Sequence, residues 1–455
     1  MGFTRSIAPA PLAPVQFNIP HPVRTTLPNG LKTVLFTDER VPLVSYRLAF
    51  FRGDAQDPEN STGLTSATAS MLAEGTEKYS SRELAEKIER LGASLGASAS
   101  DDFTIISASA LSMYGDEILS LMAEILFRPT FPESELDLYK RNALENLKYQ
   151  RSQPNFLANE QSSRLIYGSH PYATVSPKAT DYEKLEREML VDFHASAFQP
   201  DDAVLLVVGD VEQDALTRDI EDLFGDWPNT NAEQLSFTSI PKRRERTLTI
   251  VDRPGSAQAN IVLANAAIPR NHPDHFSATV MNQVLGAGAS SRVFMNLREE
   301  KGYTYGAYTR LDAKKMGGDF EATAEVRTAV TGDSLKEFFY ELNRIRDEKV
   351  SADELADAKS YLTGVFPIRA ETQEGLTGLI ANQVLYNLPE DYLQTYREHI
   401  DSVTVEDVQR VANAYVEPEK LAMVIVGDAK EILPQAKSYT ETVEILDTFG
   451  NPKTN

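Results

Sequence analysis

The chain has 455 residues, 42% hydrophobic and 25% charged, a balance that supports packed globular domains and excludes a disordered chain. The 67 acidic residues outnumber the 45 basic ones, and a net charge of −22 repels phosphate backbones at long range, which excludes nucleic acid as a partner. There is no cysteine, so disulfide frameworks, thiolate nucleophiles and Cys-based metal centres are excluded together.

The first twenty residues carry prolines at 9, 11, 14 and 20 and no apolar run, so no secretory signal is expected in the sequence as written. A chain with its signal removed reads the same way, and bacterial periplasm and cytoplasm both stay open. The start Met1-Gly2-Phe3-Thr4-Arg5-Ser6 fits a myristoylation pattern that occurs often by chance, and it is read as chance. Thr33 to Phe36 and Leu43 to Phe51 read as strands. Gly63 to Glu74 and Ser81 to Leu91 carry apolar residues at helical spacing, with Ser81 and Glu83 as a start signal. Phe103 to Leu111 alternates as a strand, and Tyr114 to Leu126 and Glu133 to Tyr149 read as helices. The runs Ala203 to Val208 and Leu421 to Val426 are the longest clean apolar stretches, at six residues each. A membrane span needs roughly 18, so these are buried strands and no transmembrane segment is expected.

Those two runs are also copies of one another. Phe198-Gln199-Pro200 followed by AVLLVVGDV returns as Val416-Glu417-Pro418 followed by LAMVIVGDA, and the offset is 427 − 209 = 218. Asp102-Phe103 returns as Asp319-Phe320 (319 − 102 = 217), and Glu135-Leu136 as Glu354-Leu355 (354 − 135 = 219). A period this long describes a duplicated domain rather than a solenoid. The expected class is α+β, two homologous halves, each an antiparallel sheet covered by helices. The expected boundaries are 20–228 for the first half, 229–246 for a linker, 247–437 for the second half and 438–455 for a tail. The basic cluster Lys242-Arg243-Arg244-Glu245-Arg246 is read as solvated linker.

The helix from Gly63 to Thr76 resembles the signature helix of the M16 (pitrilysin or insulinase-like) zinc metallopeptidases, Gly-x-x-His-x-x-Glu-His-Met followed by Gly-Thr, at Gly63, Leu64, Met71, Gly75 and Thr76. That motif needs two imidazoles one helical turn apart and a carboxylate beside the second as general base. Here those positions are Ser66, Ser70 and Ala69. The third ligand position falls on Asn146, with Glu145 one residue away. The six histidines, His21, His170, His194, His272, His275 and His399, leave none between 22 and 169. No catalytic zinc is therefore expected in this chain. His272-Pro273-Asp274-His275 has a metal-like spacing, but a loop and a helix start account for it better.

In the second half, Ser291-Arg292-Val293-Phe294-Met295-Asn296-Leu297-Arg298 followed by Tyr303-Thr304-Tyr305 resembles the M16 segment that carries an arginine–tyrosine pair, at Arg298 and Tyr305. Locally it reads as a helix from about Ser291 with Lys301 in its last turn and Gly302 beyond it, then a strand. In the family the pair binds peptide carbonyls. The resemblance, over about residues 25 to 430, implies an M16B-type subunit that closes with a partner into a clamshell around a peptide chamber. It implies a non-catalytic subunit of a heterodimeric zinc endopeptidase: a zinc-bearing M16 partner supplies the metal, and this chain supplies substrate-binding Arg298 and Tyr305. A core-type scaffold subunit and a stand-alone peptide-binding pseudopeptidase are the alternatives.

Overall fold

A computed structural model describes Ile19, residues 22–230 and residues 237–453. The amino-terminal start pattern, its prolines, His21 and residues 231–236 of the expected linker lie outside the described residues.

The first half builds a six-stranded sheet from β1 (Val23–Thr26), β2 (Lys32–Thr37), β3 (Leu43–Phe50), β4 (Ser94–Ala99), β5 (Thr104–Leu111) and β6 (Ala203–Gly209), in the order β1-β2-β6-β3-β5-β4. The second builds β7 (Thr247–Asp252), β8 (Gln258–Ala267), β9 (Thr304–Ala313), β10 (Gly318–Arg327), β11 (Ala422–Gly427) and β12 (Val443–Leu446), in the order β12-β7-β11-β8-β10-β9. Apart from the outermost strands β1 and β12, the two orders are the same, so the sequence repeat is a repeat of topology. Each sheet is mixed rather than purely antiparallel. In the first half β6 inserts between β2 and β3, parallel to β2 and antiparallel to β3, and in the second β11 inserts between β7 and β8, parallel to β7 and antiparallel to β8. The segment expected as a tail contributes β12, which pairs in parallel with β7.

The helices follow the apolar spacing closely. Leu64–Met71, Ser81–Arg90, Gly115–Phe127 and Glu133–Ser152 stand where periodicity places them. The helix start near Ser81 is capped one residue earlier, because the Ser80 and Glu83 side chains close a reciprocal capping box. No described helix is long and apolar enough to cross a membrane.

Each sheet buries one face under helices of its own half: Leu48, Ile106 and Leu205 in the first, Ile261, Phe320 and Ile425 in the second. The opposite faces are covered by exchange. The Pro154–Tyr167 helix of the first half packs Leu157, Ala158 and Ile166 on Val262, Ala264, Val424 and Val426 of the second sheet. The Gln373–Leu385 helix of the second half packs Leu376, Ile380 and Ala381 on Val34, Val204 and Leu206 of the first sheet. These helices begin 373 − 154 = 219 residues apart, in the register of the repeat.

The repeat-matched aspartates join the halves. Asp102 accepts from the Tyr172 hydroxyl and from the Lys315 amide at 2.9 Å, and Asp319 accepts from the Tyr167 hydroxyl at 2.5 Å. The basic cluster is not loose in solvent. Arg243 donates to the carbonyls of Lys420 (2.7 Å) and Leu165 (3.1 Å), and Arg246 lies 4.3 Å from the Phe339 ring centroid and donates to the Pro418 carbonyl at 2.7 Å. A planar fork of donors satisfies backbone acceptors that would otherwise be buried unpaired, a role that charge counting does not reveal.

Candidate functional site

The Leu64–Met71 helix starts at Gly63, whose φ of +88° suits a residue without Cβ. Two carboxylates hold that start. Asp57 accepts from the amides of Gly63 (2.6 Å) and Thr65 (2.9 Å), and Asp54 accepts from the Ser66 amide at 3.0 Å and hydroxyl at 2.7 Å. Burial pushes the Asp54 carboxyl up to about 6, against the opposing pull of the Ser66 hydrogen bonds.

Ser66 is thereby engaged in holding its own helix, and Ala69 is buried. Ser70 is exposed and lines a hollow of about 400 Å³ together with Asn142 and Asn146 of the Glu133–Ser152 helix. Glu145 does not line it and pairs instead with Lys148 at 2.6 Å, so it is Asn146 that faces Ser70 across the hollow. The hollow's carboxylates are Glu135 and Glu74, the latter accepting from the Ser81 hydroxyl at 2.7 Å; with no imidazole in the lining and only a hydroxyl and a carboxamide at the ligand positions, these residues do not fit a catalytic zinc. Among the described residues no group of three or more His, Cys, Asp or Glu is placed to hold a metal. At the metal-like spacing, Asp274 is bound by Arg410 (2.9 Å) and Tyr415 (2.5 Å) at the start of the His275–Leu285 helix. Burial lowers His275 to about 3, which keeps it neutral.

Arg298 and Tyr305 are brought together in a different place. Ser291 precedes the short Arg292–Phe294 helix, which continues into a π-helix over Met295–Glu300 and stops at Gly302, φ +64°. Buried Arg292 anchors this stretch through a forked pair with Glu354 at 2.6 and 3.0 Å, and that hydrogen bonding holds Glu354 down to about 2. π-Helical turns are uncommon and concentrate at functional sites. Arg298 sits in this one, its guanidinium 5.0 Å from the Phe294 ring centroid and paired with Glu299. Tyr305 is the second residue of β9, the edge strand, where a bulge opposite Ala324 and Val326 disturbs the ladder and Thr304 donates to the Glu325 carbonyl at 2.6 Å. The residue is 93% exposed. The two side chains line one hollow of about 420 Å³ with Gln258, Glu325 and Arg327. This hollow shares no residue with the one at Ser70. A larger hollow of about 760 Å³, against Phe127 and Trp227, shares none with either.

The family model described as "Insulinase (Peptidase family M16)" matches residues 32–174, and the model described as "Peptidase M16 inactive domain" matches residues 184–362. The chain belongs to the M16 peptidase family. Among this M16 chain's relatives is the "Uncharacterized zinc protease YmxG" of Bacillus subtilis, 23% identical over 88% of this chain and 97% of that protein. The "Non-peptidase homolog YmxG" of Helicobacter pylori is 25% identical over 86% and 90%. Among solved structures, a peptidase M16 inactive domain from Pseudomonas fluorescens superposes with a TM-score of 0.84 at 26% identity, covering 90% of this chain and 98% of that one. A Helicobacter pylori protease superposes with a TM-score of 0.82 at 20% identity, covering 90% and 99%.

The sequence left two features of this M16 chain unseen. The Asp54–Asp57 clamp had a signal in two aspartates just ahead of a Gly-initiated helix. The π-turn under Arg298 had none, since the segment's spacing reads as ordinary helix.

Proposed function

We propose that this chain is the non-catalytic subunit of a heterodimeric zinc endopeptidase, in which a zinc-bearing M16 partner cleaves peptides that this chain helps to hold. The observation that carries the reading is the pairing of Arg298 and Tyr305 on one hollow at an open sheet edge, in a chain whose zinc positions carry Ser66, Ala69, Ser70 and Asn146. Tyr305 makes no side-chain hydrogen bond or ring contact among the described residues and is almost wholly exposed, so its ring and hydroxyl are free to meet a ligand. An arginine and a phenol converging on one space supply charged and neutral donors to a peptide carbonyl, as oxyanion-type stabilisation requires. The edge strand β9 adds unpaired backbone groups along which an extended peptide can lie.

The test is zinc content and cleavage of a fluorogenic peptide by the purified chain and by the complex it captures from its native lysate. Zinc and cleavage in the captured complex alone are expected, and zinc-dependent cleavage by this chain alone would overturn the reading. In the complex, Arg298→Ala and Tyr305→Ala should each lower kcat/KM by roughly 2 to 4 kcal/mol. The Helicobacter pylori relative described as a non-peptidase homologue favours a second reading, a stand-alone peptide-binding pseudopeptidase. That reading predicts peptide binding with no zinc-bearing protein captured.

A further inference from the structure

Along the Glu133–Ser152 helix, Asn142, Asn146 and Gln150 recur at four-residue intervals, and Gln153, three residues on, closes the helix. These spacings put all four carboxamides on one face. Asn142 and Asn146 line the hollow at Ser70, where an active M16 site would hold metal. Gln150 and Gln153 line a second hollow of about 520 Å³, with Asn159 on one wall and Asn260 of β8 on its floor. One helix face therefore connects the emptied zinc position to the second sheet. From Asn142 to Gln150 it advances about 12 Å, at 1.5 Å per residue.

The same strand, β8, also lines the Arg298–Tyr305 hollow. Ala259 and Ile261 of β8 point into the core, so Gln258 and Asn260 share the opposite face. Gln258 lines the Arg298 hollow and Asn260 the carboxamide hollow, about 7 Å further along the strand.

The chemistry of this row is specific. The Asn159 and Asn260 carboxamides are half-buried and make no side-chain hydrogen bond among the described residues. Each carries a donor and an acceptor side by side, the complement of a peptide group. The cation lining this hollow, Arg310, is already matched by Glu321 at 3.0 Å, with Asp312 and Asp319 at 3.8 and 3.9 Å. An acidic ligand side chain would lose hydration there and meet no cation that is not already paired. An uncharged polar one would gain hydrogen bonds.

We infer that these carboxamides form a track for an extended polar peptide segment free of acidic residues, leading from the Arg298–Tyr305 hollow to the emptied zinc position. This rests on the peptide-binding reading above and adds a substrate class to it. Substrates should carry a polar stretch of several residues without acidic side chains, remote from the group that Arg298 holds.

The test uses the full-length chain and three fluorescein-labelled probes in anisotropy titrations: a twelve-residue Ser/Asn/Gln/Gly peptide, the same peptide with glutamate at every third position, and a four-residue truncation. The neutral long peptide should bind most tightly. Gln150→Ala/Asn159→Ala should weaken it by about tenfold, the loss of two or so net hydrogen bonds, and leave the four-residue probe unchanged, whereas Arg298→Ala should weaken both. Thermal melts of each variant establish that it is folded. If the double variant binds the long peptide like wild type while Arg298→Ala weakens it, the track is overturned and the subunit reading survives. Equal binding of the neutral and glutamate peptides also overturns the track. If Arg298→Ala has no effect while the double variant weakens binding, the role of Arg298 falls and the track stands; no binding of any probe overturns both.

Discussion

Ser66 stands where a zinc-binding relative would carry histidine, and its partner Asp54 gives this chain a pH dependence. Burial raises the Asp54 carboxyl to about 6, from 3.8 when unfolded. A raised carboxyl binds its proton more tightly in the folded state, so its contribution is present at acidic pH and is lost as pH rises from about 4 through 6. Asp57, Asp102 and Asp319 are shifted in the same direction, each chiefly by burial, so the slopes reinforce one another. Asp54→Asn keeps an acceptor for the Ser66 amide and adds a donor for its hydroxyl. Thermal melts between pH 4 and 7 should show a shallower fall in Tm than wild type, and an unchanged slope would remove Asp54 from the account. Tyr305→Phe is the contrasting case. The residue is 93% exposed, and stability should stay within about 0.5 kcal/mol in urea melts while activity of the proposed complex falls.

The exchanged helices are the elements on which the architecture turns. Leu157 on the Pro154–Tyr167 helix is fully buried against strands of the other half. Leu157→Ala should cost about 2 to 5 kcal/mol in a urea titration, because it leaves a cavity between a helix and a sheet that belong to different halves. Leu138, in the preceding helix and 44% exposed, supplies the control, and Leu138→Ala should cost well under 1 kcal/mol. A cost for Leu157→Ala as small as the control would mean that the two faces do not depend on each other. The same helix bears Asn159, so the element that locks the halves together also walls the carboxamide hollow.

For the whole molecule the exchange means that neither half has a complete core. Residues 22–228 expressed alone would expose Val34, Phe36, Val204, Leu206 and Val208, which the Gln373–Leu385 helix covers in the intact chain. An apolar patch of that kind drives aggregation. The isolated half should be insoluble or molten, and co-expression with the second half should restore a soluble complex. A folded, monomeric first half by size-exclusion chromatography and near-UV circular dichroism would contradict this. For the same reason the full chain should unfold in one transition rather than two.

The duplication, the apolar periods of the helices and strands and the replacement of the zinc ligands were legible in the amino-acid sequence, because each is a local pattern or the identity of a single residue. Arg298 and Tyr305 were legible through their motif, and their shared hollow follows from a helix running into the next strand. What the sequence left undecided depends on residues far apart in the chain. Parallel pairing of β2 with β6 joins segments about 170 residues apart (204 − 32 = 172), and no local signal encodes which neighbour a returning strand chooses. The presence of Asn146 rather than Glu145 in the Ser70 hollow, the anchoring of Arg243 and Arg246, and the convergence of Asn159 and Asn260 on one hollow likewise depend on tertiary packing. Composition names the groups available, but only the folded chain fixes which of them share a space.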